Sequence, residues 1–241
     1  AREAVGRATG AEALAQARYE LGKALARADQ SAEALTEFLW CFDEGMVRMP
    51  GLETRASSVL YDIRELGGRY PPAKAALIEH RDRAEATVQA SQMPVGTPAY
   101  DVIILNDALG ESSRSLALYD RLPPANRFRA ALGRQLFAQF LAVKRYDDAA
   151  QAQPYPAMLQ RWAAKQKADS DDSPGVQPLL HNANVHWLAE RLEALAGAHR
   201  LDEARALRTI ALAYDETRGA RALYRTALDR AGHPEMLADQ P

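Results

Sequence analysis

The sequence predicts an all-α protein, and three observations carry that expectation. Ala and Leu, 48 and 29 of the 241 residues, supply nearly a third of the chain with strong helix formers. Aromatic residues make up only 7% of the chain against 47% hydrophobic residues overall. That balance suits close helix-on-helix packing and starves a β-sandwich of the Val, Ile, Thr and aromatic side chains it needs. Apolar residues also recur at helical spacing, and Gly or Pro clusters punctuate them every dozen or so residues.

The elements follow in order. From Ala11 to about Ala28, the positions Leu14, Ala17, Leu21, Ala24, Leu25 and Ala28 trace one helical face. Asp29-Gln30-Ser31 breaks the run, and a second helix carries Ala34, Leu35, Phe38, Leu39 and Phe42. The next pair spans roughly 53–66 and 71–90, with a turn at Gly67-Gly68 between them and Pro71-Pro72 at a helix start, where a missing N–H is tolerated. Ser91 to Pro98 reads as a connector. Thr97 then caps a helix that ends at Gly110. The run Asp101-Val102-Ile103-Ile104-Leu105 resembles a buried strand, but such a strand would stand without partners, so a helix is expected. Further helices are expected over 112–122, 126–143, a short one from Asp147, 157–168, 183–197, 202–214 and 217–231, roughly a dozen in all.

Composition also bounds function. A formal charge of -2 argues against a generic nucleic-acid binder, and 26% charged residues among this much Leu argue against disorder. Cys41 stands alone, so no intramolecular disulfide forms. No apolar run approaches the ~20 residues of a membrane span. No apolar leader core follows Ala1-Arg2-Glu3, so a cytoplasmic location is the default expectation; a leader removed ahead of Ala1 stays open. Arg outnumbers Lys 25 to 5, which with the Ala excess matches high-GC bacterial coding.

A repeat underlies the helices. In residues 15–48, small residues Gly22, Ala34 and Cys41 let two helices of a hairpin touch, while Leu25 and Phe38 fill the space toward the next hairpin. With Leu21-Gly22, these positions resemble a tetratricopeptide repeat. Lys144-Arg145-Tyr146-Asp147-Asp148-Ala149 echoes its turn, as do Gly68 to Ala73, Leu109-Gly110-Glu111 and Arg200 to Ala204. The second-helix positions Ala34, Ala73, Ser115, Ala149 and Ala204 fall 39, 42, 34 and 55 residues apart, so the array is irregular. Arg18 stands where the family places a tryptophan-type residue. The resemblance implies antiparallel hairpins stacked as an irregular superhelix over residues 1–241, with sub-units 1–90, 91–168 and 182–241 and a flexible loop at 169–181.

It also implies a groove, lined by the first helix of each unit, that receives a protein or peptide partner. In this chain the groove positions are Gln16, Tyr19, Lys23 and Arg27, and later Arg134, Ala138 and Leu141. Tyr19, Lys23 and Arg27 share a face able to hold a carboxylate beside an aromatic ring. Replacing the three together is then expected to leave helicity and melting nearly unchanged but to weaken capture of the partner; the alternative for that face is ordinary solvated surface. The Asn residues with which some family members grip chaperone tails are missing. A regulator, adaptor or immunity-type protein fits this reading, with no cofactor and no catalysis.

Two other features compete. The middle third is net positive, and Arg121, Arg127, Arg129, Arg134, Lys144 and Arg145 could steer an acidic partner, although the excess is small. His181, His186 and Glu190 are the best metal or enzyme candidates, because His186 and Glu190 share a helical face; no third motif ligand accompanies them. Cys41 sits where the repeat wants a buried small residue, Gly67-Gly68 lacks the Lys-Ser/Thr of a phosphate loop, and Trp40, Trp162 and Trp187 read as core anchors.

Overall fold

In a computed structural model, which describes residues 1–45, 52–91, 97–170 and 175–237, every regular element is helical. The chain divides into two compact units, Ala1–Leu132 and Gly133–Pro241. The first holds α1 (Arg2–Arg7), α2 (Ala11–Arg27), α3 (Ser31–Trp40) with a π-helical turn over Cys41–Gly45, α4 (Leu52–Gly67), α5 (Pro71–Ala90), α6 (Pro98–Ala108) and α7 (Ser112–Arg121). α8 (Arg129–Gln135) spans the division. The second unit holds α9 (Phe137–Ala142), α10 (Tyr146–Ala152), α11 (Tyr155–Ser170), α12 (Gln177–Gly197), α13 (Leu201–Tyr214) and α14 (Arg218–Ala231), then a 3-10 turn over Pro234–Leu237.

Sequential helices pack as neighbours: α2 on α3, α4 on α5 and α5 on α6 in one unit, α12 on α13 and α14 in the other. The first core gathers Leu21, Leu25, Ala34, Phe38, Ile63 and Leu77. The second gathers Met158, Trp162, Leu188, Leu192, Leu207 and Tyr224.

One turn geometry recurs. Asp29, Gly110, Lys144 and His199 are left-handed, with φ of 58°, 73°, 58° and 56°. After each, the next N–H reaches back to close the helix end: Gln30 to the Leu25 carbonyl at 3.0 Å, Glu111 to Asn106 at 2.7 Å, Arg145 to Phe140 at 2.8 Å and Arg200 to Leu195 at 2.9 Å. Five residues past each left-handed position stand Ala34, Ser115, Ala149 and Ala204, all 0% exposed; Ala73, reached through the Gly67–Tyr70 turn, is 0% exposed as well. Size sets these positions, because the helices of a hairpin meet there and a larger side chain would hold them apart.

Two glycines mark equally close approaches. A Cβ on Gly22 would lie 2.7 Å from the Phe38 ring, and one on Gly197 would run into the Tyr146 ring. Arg18 lies 4.1 Å over the Trp40 ring and pairs with Glu37 at 2.6 Å, so its guanidinium is both stacked and ion-paired.

The expected helix over 126–143 is instead α8 and α9. Asn126 Oδ1 accepts the Phe128 N–H at 2.8 Å and its amide donates to the Val88 carbonyl at 2.7 Å, an Asx turn that delays the helix to Arg129. The interruption at Leu136 comes shortly after Gly133, a poor helix former, and beside the division between units. Of the loop expected at 169–181, residues 169–170 end α11 and 177–181 begin α12, with Pro178 in its first turn; residues 171–174 lie outside the described residues, as do 92–96 of the expected connector. Asp101–Leu105 is helical: α6 packs against α4, α5 and α7, so its successive apolar residues are all used. The exposed α1, held by an Arg7–Glu3 pair at 3.0 Å, had no apolar periodicity to announce it. No helix among the described residues is long and apolar enough to cross a membrane.

Candidate functional site

The face of α2 that carries Tyr19, Lys23 and Arg27 meets α4, and the three residues do different things there. Tyr19 is half-buried, with its ring tilted on Phe38 at 6.2 Å between centroids and its hydroxyl donating to Asp62 Oδ2 at 2.7 Å. Burial and the adjacent carboxylate hold that hydroxyl well above the ordinary tyrosine range, so it remains a donor. Lys23 lies 4.7 Å from the Tyr19 ring centroid and pairs with Glu20 at 2.6 Å. Arg27 is exposed, with no hydrogen bond or ion pair among the described residues.

Lys23, Ala26 and Arg27 form one wall of a cleft of about 420 Å³; Asp62, Glu65 and Leu66 of α4 line it opposite, with Phe38 and Arg69. Arg69 is tied to Asp29 at 3.1 Å. The cleft therefore has a rim of three cations and two carboxylates around Ala26 and the buried Phe38 and Leu66. Tyr19 does not line it. Its bond to Asp62 joins α2 to α4, so replacing it together with Lys23 and Arg27 would remove a half-buried hydrogen bond and an aromatic contact. Gln16 is spent on Glu20 at 3.2 Å.

Arg134 and Ala138 are exposed on α8 and α9, and Leu141 is half-buried. Two members of the expected basic patch are structural. Arg129 donates to the Tyr119 and Leu122 carbonyls at 2.6 and 2.7 Å and lies 4.0 Å over the Tyr119 ring, while Arg145 pairs with Asp148 at 2.8 Å.

His181, His186 and Glu190 are not brought together around one point. His181 Nε2 pairs with Asp215 Oδ2 at 2.7 Å, and its ring stacks on Tyr214 at 4.8 Å. That bond holds the Asp215 carboxyl below its usual range. They sit at a second cleft, about 490 Å³, lined by His181 and residues 212–217. His186 is exposed, and Glu190 pairs with Arg191 at 2.7 Å. Arg191 lies 4.4 Å from both the Phe137 and Trp187 ring centroids, where burial lowers its pKa to about 10. Among the described residues, no three or more His, Cys, Asp and Glu are grouped to hold a metal ion. Cys41 is buried, and burial pushes its thiol up to about 12, which leaves it protonated.

A further polar pair joins α5 to the π-helical turn after α3, near Asp101 of α6 in its electrostatics. His80 Nε2 pairs with Asp43 at 3.0 Å, which raises the His80 pKa, and burial pushes the Asp101 carboxyl up to about 6.

Sequence reasoning missed Asp62, Glu65 and Arg69 opposite Lys23 and Arg27. Their only sequence signal is that they lie on and just after the first helix of the next hairpin; which residues of α4 face α2 depends on how the hairpins stack. No family model matches this chain, and no curated protein and no solved structure is detectably similar to it.

Proposed function

We propose that the chain is a protein-binding scaffold of stacked helical hairpins, similar to tetratricopeptide repeats, that receives a protein or peptide segment in the cleft between α2 and α4. The cleft itself carries this reading: over a floor of buried Phe38 and Leu66, Lys23 and Arg27, the latter without an ion pair among the described residues, supply charge-assisted donors for a ligand carboxylate. The recurring turn supports the scaffold, since the same left-handed residue and the same fully buried small position return in both units. In this reading no bond is made or broken, and no cofactor takes part.

The test is a Lys23→Glu, Arg27→Glu double variant used as bait beside the parent chain for partner capture from the source organism, with identification by mass spectrometry. A partner retained by the parent and lost by the variant, with helicity equal in both, is the expected result. Equal capture by both would remove the cleft from the binding surface. Tyr19 is left in place because its loss would confound binding with folding.

A further inference from the structure

Two helix ends come together in the second unit, outside the cleft lined by His181 and residues 212–217. The chain leaves α12 through left-handed His199, whose N–H bonds the Ala196 carbonyl at 2.9 Å. It leaves α14 through Gly232 at φ 83°, and the His233 N–H bonds the Leu228 carbonyl at 2.9 Å. These like turns set the two imidazoles side by side: His199 Nδ1 is 3.3 Å from His233 Nε2, with the rings at 86° and their centroids 5.4 Å apart. His233 Nδ1 is held by Glu235 Oε1 at 3.1 Å.

We propose that His199 and His233 form a two-histidine site for a borderline divalent transition-metal ion such as Zn²⁺, with water completing the coordination. Two imidazole nitrogens each ~2.0–2.1 Å from a tetrahedral zinc stand about 3.3–3.4 Å apart, which is the separation present here. The same 3.3 Å is long for a direct hydrogen bond, for which ~2.9–3.0 Å is usual. Glu235 keeps the His233 proton on Nδ1 and leaves the Nε2 lone pair for a metal, the arrangement in which a carboxylate orients a ligating histidine. His199 protonated on Nε2 presents Nδ1 in the same way, so each imidazole offers one nitrogen to the ion. The site also lies at two helix C-termini, whose partial negative charge favours a cation. Arg200, next in the chain, is engaged by Glu203 at 2.6 Å.

The experiment is calorimetric titration of the full chain with Zn²⁺ at pH 7.5, with helicity measured for every variant. One zinc per chain is expected for the parent. His199→Asn, which keeps a residue tolerant of the left-handed backbone, and His233→Gln should each abolish that stoichiometric uptake. Glu235→Gln, on an exposed side chain, should weaken it about 10–100-fold. His181→Asn and His186→Asn should leave it unchanged. Absence of saturable uptake by the parent, or uptake that survives either His199→Asn or His233→Gln, would overturn the site.

Discussion

Ser115 and Ala204 occupy the same place after the same turn, and both are fully buried, yet their surroundings differ in kind. Ser115 ends a polar chain: its hydroxyl accepts from Asn106 Nδ2 at 2.9 Å, Asn106 reaches Glu85 at 3.5 Å, and Glu85 takes Arg114 at 2.7 Å. Arg81 closes the network through Asp82 at 2.8 Å and Glu111 at 2.6 Å. Ala204 instead joins the apolar cluster of Leu192, Leu195, Leu207 and Ala211. The difference teaches that the hairpin fixes the size of this residue but not its polarity. What a hydroxyl requires is a partner, and α5, α6 and α7 provide one.

The largest expected effect comes from breaking the polar side of this pair. Arg114→Ala leaves Glu85 buried without its cation, and unfolding by denaturant should show a loss of about 3 kcal/mol, the low end for a broken buried pair because Arg114 is itself partly exposed. Next comes Asp101 on the same helix as Asn106. Its folded carboxyl titrates near 6, above the unfolded value, so the unfolded chain releases its proton first and stability falls as pH rises from about 4 to 6. Asp101→Asn removes that fall: it should match the parent near pH 4 and exceed it by about 2 kcal/mol above pH 7, read from paired melting curves across pH. His80 acts in the same sense in both chains, its contribution present at low pH and lost as pH rises through its raised folded value.

Exchanging the two small residues sharpens the comparison directly. Ser115→Ala deprives Asn106 of its closer acceptor and should cost about 1 kcal/mol. Ala204→Ser should cost about as much or less, since a helical serine hydroxyl finds the carbonyl one turn back, and the fold should survive both exchanges. Equal tolerance would support size as the governing variable; a collapse of the Ala204→Ser variant would show that polarity matters there too. The smallest effect is reserved for the cleft rim, where Lys23→Ala with Arg27→Ala should shift stability by no more than about 0.5 kcal/mol, in contrast to Tyr19→Phe, which strands Asp62 and should cost about 1 kcal/mol or more.

The helices were legible because periodicity and turn residues act locally. Pro71, Thr97-Pro98 and Gly110 bounded helices much where the chain places them, and the small residues Gly22, Ala34 and Cys41 could be read as hairpin contacts. Of the groove residues that the resemblance implied, Lys23 and Arg27 line the cleft between α2 and α4, while Tyr19 braces the two helices, because its hydroxyl partner Asp62 lies 43 residues away and no local pattern ties the two.

By itself, then, the sequence determined the all-helical class, the order of most elements and the small positions at which helices touch, since each depends on near neighbours in the chain. Tertiary structure decided which charges meet. It paired Asp62 with Tyr19, Glu85 with Arg114, His181 with Asp215 and His199 with His233, and it split the long helix expected at 126–143. Those choices rest on side chains brought within about 4 Å from separate helices, where direction and burial set the energy and sequence spacing carries no information.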